Sequence, residues 1–300
     1  MSIKLGLDNV CYQHTVARGE LTLEQFLDKI VTYGGQAVQM DPIWSAFGLD
    51  LQPPSLKCLR LLLEQRGLEI VVKGNSAGAG FLAVDGAAAT RVVESMQKKL
   101  AVTYELGARV VRLVSRAYPF RAGEWIPPQV PRRVVLEWLV QVLESLVRVA
   151  KEYGVVLALE NHGDLYISEL EWVLKTVDAP ELRVQLDVAE QIALFEDPLE
   201  AVRRLAPYAA TVHWTDLVPI PTDEGYLITA CPPNEGLLPL QDMAAVLRTV
   251  PQDLLVFVAG QAKRDADEDV IVREHIAFLK KELLQARAPS GSAESADGKD

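Results

Sequence analysis

Eight short apolar runs, each followed by a longer amphipathic stretch, divide this 300-residue chain, and that alternation limits the folds open to it. The runs are Ile3–Leu7, Ala37–Met40, Glu69–Lys73, Arg109–Val114, Val155–Glu160, Arg183–Asp187, Thr211–His213 and Leu254–Val258. Most are aliphatic with little polar alternation, the pattern of strands buried on both faces of a parallel sheet. Alternating strands and helices imply such a sheet, and eight units favour an α/β fold closed as a single (β/α)8 TIM barrel. A Rossmann- or flavodoxin-like pair of domains is the alternative. No composition break divides the chain, however, and no GxGxxG follows the first run.

The stretches between the runs have helix punctuation. Thr22 with Gln25, and Ser168 with Glu171, have the spacing of capping boxes. Asp197-Pro198 supplies an N-cap and a first-turn proline. Ala87–Leu106 and Arg132–Tyr153 are expected as long helices, each ended by a glycine, Gly107 or Gly154. Asp269–Gln285 is the last expected helix. The expected layout is a barrel over residues 1–287 and a disordered, small and polar tail over 288–300.

Composition narrows the partners. Asp and Glu number 41 against 30 Lys and Arg, a formal charge of −11, and no basic cluster is interleaved with aromatics. A nucleic-acid partner is not expected from that balance. The three cysteines, Cys11, Cys58 and Cys231, form no CxxC, which suits a reducing compartment and argues against a zinc ribbon. No signal-peptide pattern opens the sequence and no window reaches about 18 apolar residues, so a cytoplasmic protein without membrane contact is the expectation.

In a barrel the loops after the strands form one mouth, and polar residues at strand ends are the catalytic candidates. In order these are Asp8 and Asn9, Gln39 and Asp41, Lys73 and Asn75, and Arg112 and Ser115. Glu160, Asn161 and His162 follow, then Asp187 and Glu190, His213 and Asp216, and finally Ala259 to Gln261. Glu160, Asp187 and His213 close three successive runs (VVLALE, LRVQLD, ATVH), each about one βα repeat from the next. That spacing would bring two carboxylates and an imidazole to one height. Hard oxygen donors with one nitrogen suit Mn²⁺, Mg²⁺ or Co²⁺, with Zn²⁺ a further option; acidic residues also end strands for no more than a turn.

Other candidates have two readings each. Glu190 either adds a carboxylate near the cation and acts as general acid/base, or is a solvated residue at a helix start. His162 either contacts substrate or sits in a turn. Arg112 interrupts an apolar run, which is costly unless an anion or an internal carboxylate pairs with it, and Lys73 reads the same way. Trp214 would line the pocket, and Asp216 would orient His213 or touch substrate. Gln261 completes the candidate substrate contacts. Two long loops, Ser115–Pro131 and Leu217–Pro239, read as lids, binding walls or subunit contacts. GNSAGAG at Gly74–Gly80 lacks the Lys-Ser/Thr of a phosphate loop.

The segments LALENHGD, QLDVAEQ and TVHWTDL, with the barrel layout, resemble the sugar-phosphate isomerase/epimerase superfamily, the xylose-isomerase-like TIM barrels that include the AP-endonuclease-2-like proteins. The resemblance implies one divalent metal held by a Glu, an Asp, a His and a second Glu, of which the first three correspond to Glu160, Asp187 and His213. Asn161 and His162 fall on the family's substrate loop. Ala259 stands where the second Glu belongs, Glu190 where Asn or His is usual, and Gln39 where Glu is frequent. The implied activity is an isomerase or epimerase working on a small sugar or keto-polyol through an enediolate, with Glu160, Glu190 and His162 as catalytic groups. A lyase or dehydratase on the same site is the alternative, and Ala259 leaves room for a metal-free or catalytically decayed binding barrel. An AP endonuclease, with its histidine-rich zinc cluster, does not fit four histidines and this charge. The sequence leaves homodimer or homotetramer open.

Overall fold

The computed structural model describes residues 2–41, 47, 52–74, 86–115 and 131–284, with the side chains of 86–89 and 91 excepted. Its strands are β1 (Ile3–Asp8), β2 (Ala37–Met40), β3 (Glu69–Lys73), β4 (Val110–Val114), β5 (Val156–Glu160), β6 (Leu182–Asp187), β7 (Ala209–Trp214), β8 (Asp216–Thr222), β9 (Gly225–Cys231) and β10 (Leu254–Val258). All eight expected runs are present within a residue or two of their ends. β1 pairs in parallel with both β2 and β10, so the sheet closes in the order β1-β10-β7-β6-β5-β4-β3-β2. The fold is a TIM barrel.

Helices pack around the strands for the reason their spacing gives. The helix Arg132–Tyr153 buries Val135, Leu139, Val142, Leu146 and Ala150, one face at three- and four-residue steps. Each fully buried aliphatic side chain of that kind contributes about 1.5–3 kcal/mol of apolar transfer. Gly154 ends the helix at φ 63°, and Gly107 adopts φ 73° after Gly86–Glu105, conformations that cost a side-chain-bearing residue. Thr22 and Gln25 form the expected capping box, and Asp197 caps Pro198–Leu205. Within the barrel, Ala37, Val71 and Phe257 form a separate apolar cluster. No helix among the described residues is long and apolar enough to cross a membrane.

Three expectations change. The helix after β5 starts at Ile167, so Ser168 lies inside it, and Glu169 rather than Glu171 accepts from the Tyr166 N–H at 2.9 Å. Glu171 instead pairs with Arg204. The stretch Leu217–Pro239 contains the antiparallel hairpin β8–β9 rather than a plain loop. Pro219 and Pro221 obscure its alternation in the sequence, and a two-stranded ribbon tolerates them because its outer edges need no further pairing. Finally, the last helix runs from Glu268 to Leu279 and continues as a wider turn to Leu284. The expected tail at 288–300, the stretch 116–130 and most of GNSAGAG lie outside the described residues.

Candidate functional site

Parallel register aligns the strand ends. Val114 is opposite Glu160, Glu160 opposite Gln185, and Asp187 opposite His213. Successive strands therefore present Glu160, Asp187 and His213 to one place, all three buried, with one donor atom from each lying within 4.8 Å of the others. His213 Nδ1 is 3.1 Å from Glu160 Oε1 and 3.3 Å from Asp187 Oδ2. On the other side of the ring, Nε2–H donates to Gln39 Oε1 and lies 3.3 Å from Asp8 Oδ2. Gln39 is itself fixed, since its Nε2 donates to Gln185 Oε1 at 3.0 Å and Thr211 donates to the same oxygen. This chain of bonds assigns the Nε2 proton and turns Nδ1 toward the two carboxylates, the arrangement of a ligating imidazole.

The carboxylates are aimed as well. Asp187 Oδ1 accepts from the N–H groups of Ala189 at 2.8 Å and Glu190 at 3.2 Å, leaving Oδ2 for the ring. Glu160 Oε2 pairs with Arg112. Both Glu160 oxygens are otherwise buried without a hydrogen bond of good geometry. Buried anionic oxygens of that kind call for a cation. Two carboxylates and one imidazole are a fitting donor set for a divalent ion.

Electrostatics follow from this crowding. Burial alone would lower the His213 imidazolium, but hydrogen bonds to Asp187, Asp8 and Glu160 outweigh it and lift the pKa to about 10. Burial opposes ionisation of Glu160, yet the Arg112 guanidinium, then His162, hold it well below the usual carboxylate range. Asp8 is drawn down to about 2, burial being outweighed by Lys73 and His213. Glu190 goes the other way: burial first, then the Asp187 charge, push it up to about 7. His162, whose Nδ1 is 3.6 Å from both Glu160 Oε1 and Glu190 Oε1, is raised because those carboxylates outweigh its burial.

A cavity of about 380 Å³ opens over this group. Glu160, Asp187, His213, His162, Glu190, Lys73, Arg112 and Gln261 all line it, as does Ala259. Three expected contacts do not. Asn161 is buried behind the site, where its amide clasps the Asp187 backbone (Nδ2 to O 2.8 Å, N to Oδ1 2.7 Å), so it fixes the end of β6 rather than lining the cavity. Trp214 follows the inward His213 and therefore points outward, stacking on Phe278 at 5.8 Å. Asp216 is fully buried and accepts from the N–H groups of Leu217, Asn234, Gly236 and Leu238, which shapes the segment after the hairpin and leaves nothing for His213.

Asp8 stood among the strand-end candidates without an assigned role, and the hairpin residues on the cavity wall were not singled out from sequence. Asp8 pairs with Lys73, whose Nζ also donates to Asn9 Oδ1 at 2.8 Å, and lies 3.3 Å from His213 Nε2; it ends IKLGLD as Glu160 ends LALE. The hairpin brings Ile228 and Thr229 to the cavity wall, which only recognition of the strand pair would have shown.

Comparison with known proteins agrees with this architecture. Residues 27–282 match the family described as the xylose isomerase-like TIM barrel. A D-tagatose 3-epimerase-like protein superposes with TM-score 0.72 at 19% identity over 95% of this chain and 100% of that one. A xylose isomerase-like TIM barrel protein from Mycobacterium smegmatis, solved in complex with magnesium, gives 0.67 at 14% identity over 95% and 98%. In sequence, the uncharacterized protein YihM of Escherichia coli is 24% identical over 159 residues, 53% of this chain; the match spans less than half, 45%, of that relative.

Proposed function

The chain belongs to the xylose isomerase-like TIM barrel family, and from that premise we propose that it is a divalent-metal-dependent isomerase or epimerase of small sugars or keto-polyols. The observation that carries this reading is the imidazole whose Nε2–H is tied to Gln39 while Nδ1 faces two buried carboxylates. Glu160, Asp187 and His213 would hold one ion, and the oxygen-rich donor set suits Mn²⁺, Mg²⁺ or Co²⁺. When bound, that ion supplies Lewis-acid polarisation of a substrate carbonyl and offsets the charge of an enediolate.

The protein's own groups would do the rest. Glu190 sits on the cavity wall beside His162, and its pKa near 7 lets it both take and return a proton at neutral pH. It is the group that would move the proton on the carbon next to the carbonyl, with the His162 ring lying between it and Glu160. Arg112 keeps Glu160 ionised and so keeps it a ligand rather than a proton carrier. Asn161 and Gln39 keep Asp187 and His213 in place.

Incubation of Mn²⁺-loaded protein with a panel of ketoses and inososes in deuterated water tests the proposal. Deuterium at the carbon beside the carbonyl is expected, and Glu190→Gln should slow its uptake about 10²- to 10⁴-fold. Ala259, a methyl just past the last barrel strand, favours a metal-free or decayed barrel as the second reading. Protein that binds no divalent ion and exchanges no deuterium would establish that one instead.

A further inference from the structure

Every barrel strand but β10 brings a polar or charged side chain to the mouth; β10 is followed there by the methyl of Ala259. Two of those side chains are cations on adjacent strands, Lys73 on β3 and Arg112 on β4, and they stand directly opposite each other in register. Neighbouring strands are about 4.8 Å apart, and like charges paired across that gap repel. Each has one resident carboxylate on its outer side. Lys73 binds Asp8, and Arg112 Nη2 binds Glu160. Arg112 Nε is buried with no hydrogen-bond partner.

Glu160 cannot serve both neighbours fully. A cation at Glu160, Asp187 and His213 draws on the carboxylate that Arg112 now uses, which leaves the guanidinium under-compensated beside Lys73. On this basis, and resting on the metal reading above, we propose that the substrate carries a carboxylate that docks on the Lys73–Arg112 pair while its carbonyl end faces the three ligands. The substrate class is then a sugar acid or keto acid rather than a neutral sugar. Both resident partners of the pair are carboxylates, and a guanidinium offers such a planar two-oxygen group parallel donors. With Ala259 following β10, that arc adds no negative charge to oppose the anion, and Asp8 on the adjoining β1 is already paired with Lys73. The cavity's roughly 380 Å³ lies within the size range of small-ligand sites.

Calorimetric titration with D-glucose, D-galactose and D-fructose, the corresponding hexuronates, and the 6-phosphates of the three sugars tests this. At least one hexuronate should bind tenfold or more tightly than its neutral parent. Lys73→Met should remove that preference and Lys73→Arg should restore it. Equal binding of acid and neutral sugar, a preference that survives Lys73→Met, or tighter binding of the phosphate ester than of the acid would each overturn the assignment. A Mn²⁺ titration of the same preparation separates the two readings. Ion binding without hexuronate preference sinks only this inference, and hexuronate preference without ion binding sinks the metal reading and leaves the docking to rest on the unpartnered Arg112 Nε alone.

Discussion

Two arcs stand side by side around one mouth, and they are built from opposite charge. β5, β6 and β7 contribute Glu160, Asp187 and His213, which converge on one point; β3 and β4 contribute Lys73 and Arg112, which pair with Asp8 on β1 and Glu160 on β5. The first arc gathers two carboxylates and an imidazole, and from the second only Arg112 pairs with one of those carboxylates. Arg112 is the hinge between them, because it pairs with a carboxylate that also belongs to the donor group. A ligand set is thus defined as much by the cations flanking it as by the donors themselves.

The largest effect should come from breaking the anionic arc. Asp187→Ala removes a ligand outright and should weaken Mn²⁺ binding by more than about 100-fold, beyond the 10- to 100-fold typical of residues behind the ligands. Gln39→Leu, which frees the Nε2 side of His213, should fall inside that 10- to 100-fold range. Isothermal titration reads both. If Gln39→Leu binds as tightly as the parent, the ring is held by something other than the Gln39–Gln185–Thr211 chain.

Acidity acts on the anionic arc through His213. A cation must displace the Nδ1 proton of a group that titrates near 10, so Mn²⁺ affinity should rise about tenfold per pH unit from 6.5 toward 10 and then flatten. Without the ion the stability linkage has the opposite slope. A histidine raised above its ordinary 6.5 stabilises the fold fully below that pH, and the contribution is lost as pH rises through about 10. Ion-free protein should therefore unfold more readily in denaturant at pH 10 than at pH 6.5, with the ion-bound form less affected. The smallest change is expected from Ala259→Glu. An added carboxylate should tighten Mn²⁺ about three- to tenfold, limited by repulsion from Asp8 on the adjoining strand. Unchanged affinity would place the β10 wall outside the ion's reach.

The barrel and its anionic arc were legible because both rest on local periodicity. An apolar run that closes on a polar residue fixes strand direction and strand end together, so Glu160, Asp187 and His213 could be placed from spacing alone. Trp214 and Asp216 were misplaced because they follow His213 by one and three residues, where alternation and the turn into the hairpin decide orientation and the eye sees only proximity. Asn161 went astray for a related reason: its neighbours Glu160 and His162 both face the cavity, but its amide is matched to the Asp187 backbone. Pairings between strands, such as Arg112 with Glu160 or Lys73 with Asp8, depend on which side chains lean toward each other and leave no trace in spacing.

The central claim is that three side chains hold one cation through His213 Nδ1. Anomalous scattering from crystals soaked in Mn²⁺ tests it most directly. A single peak at coordination distance from Glu160, Asp187 Oδ2 and His213 Nδ1, with Nε2 still bonded to Gln39, is the expected result. A peak bound elsewhere, or a ring turned so that Nδ1 meets Gln39, would contradict it.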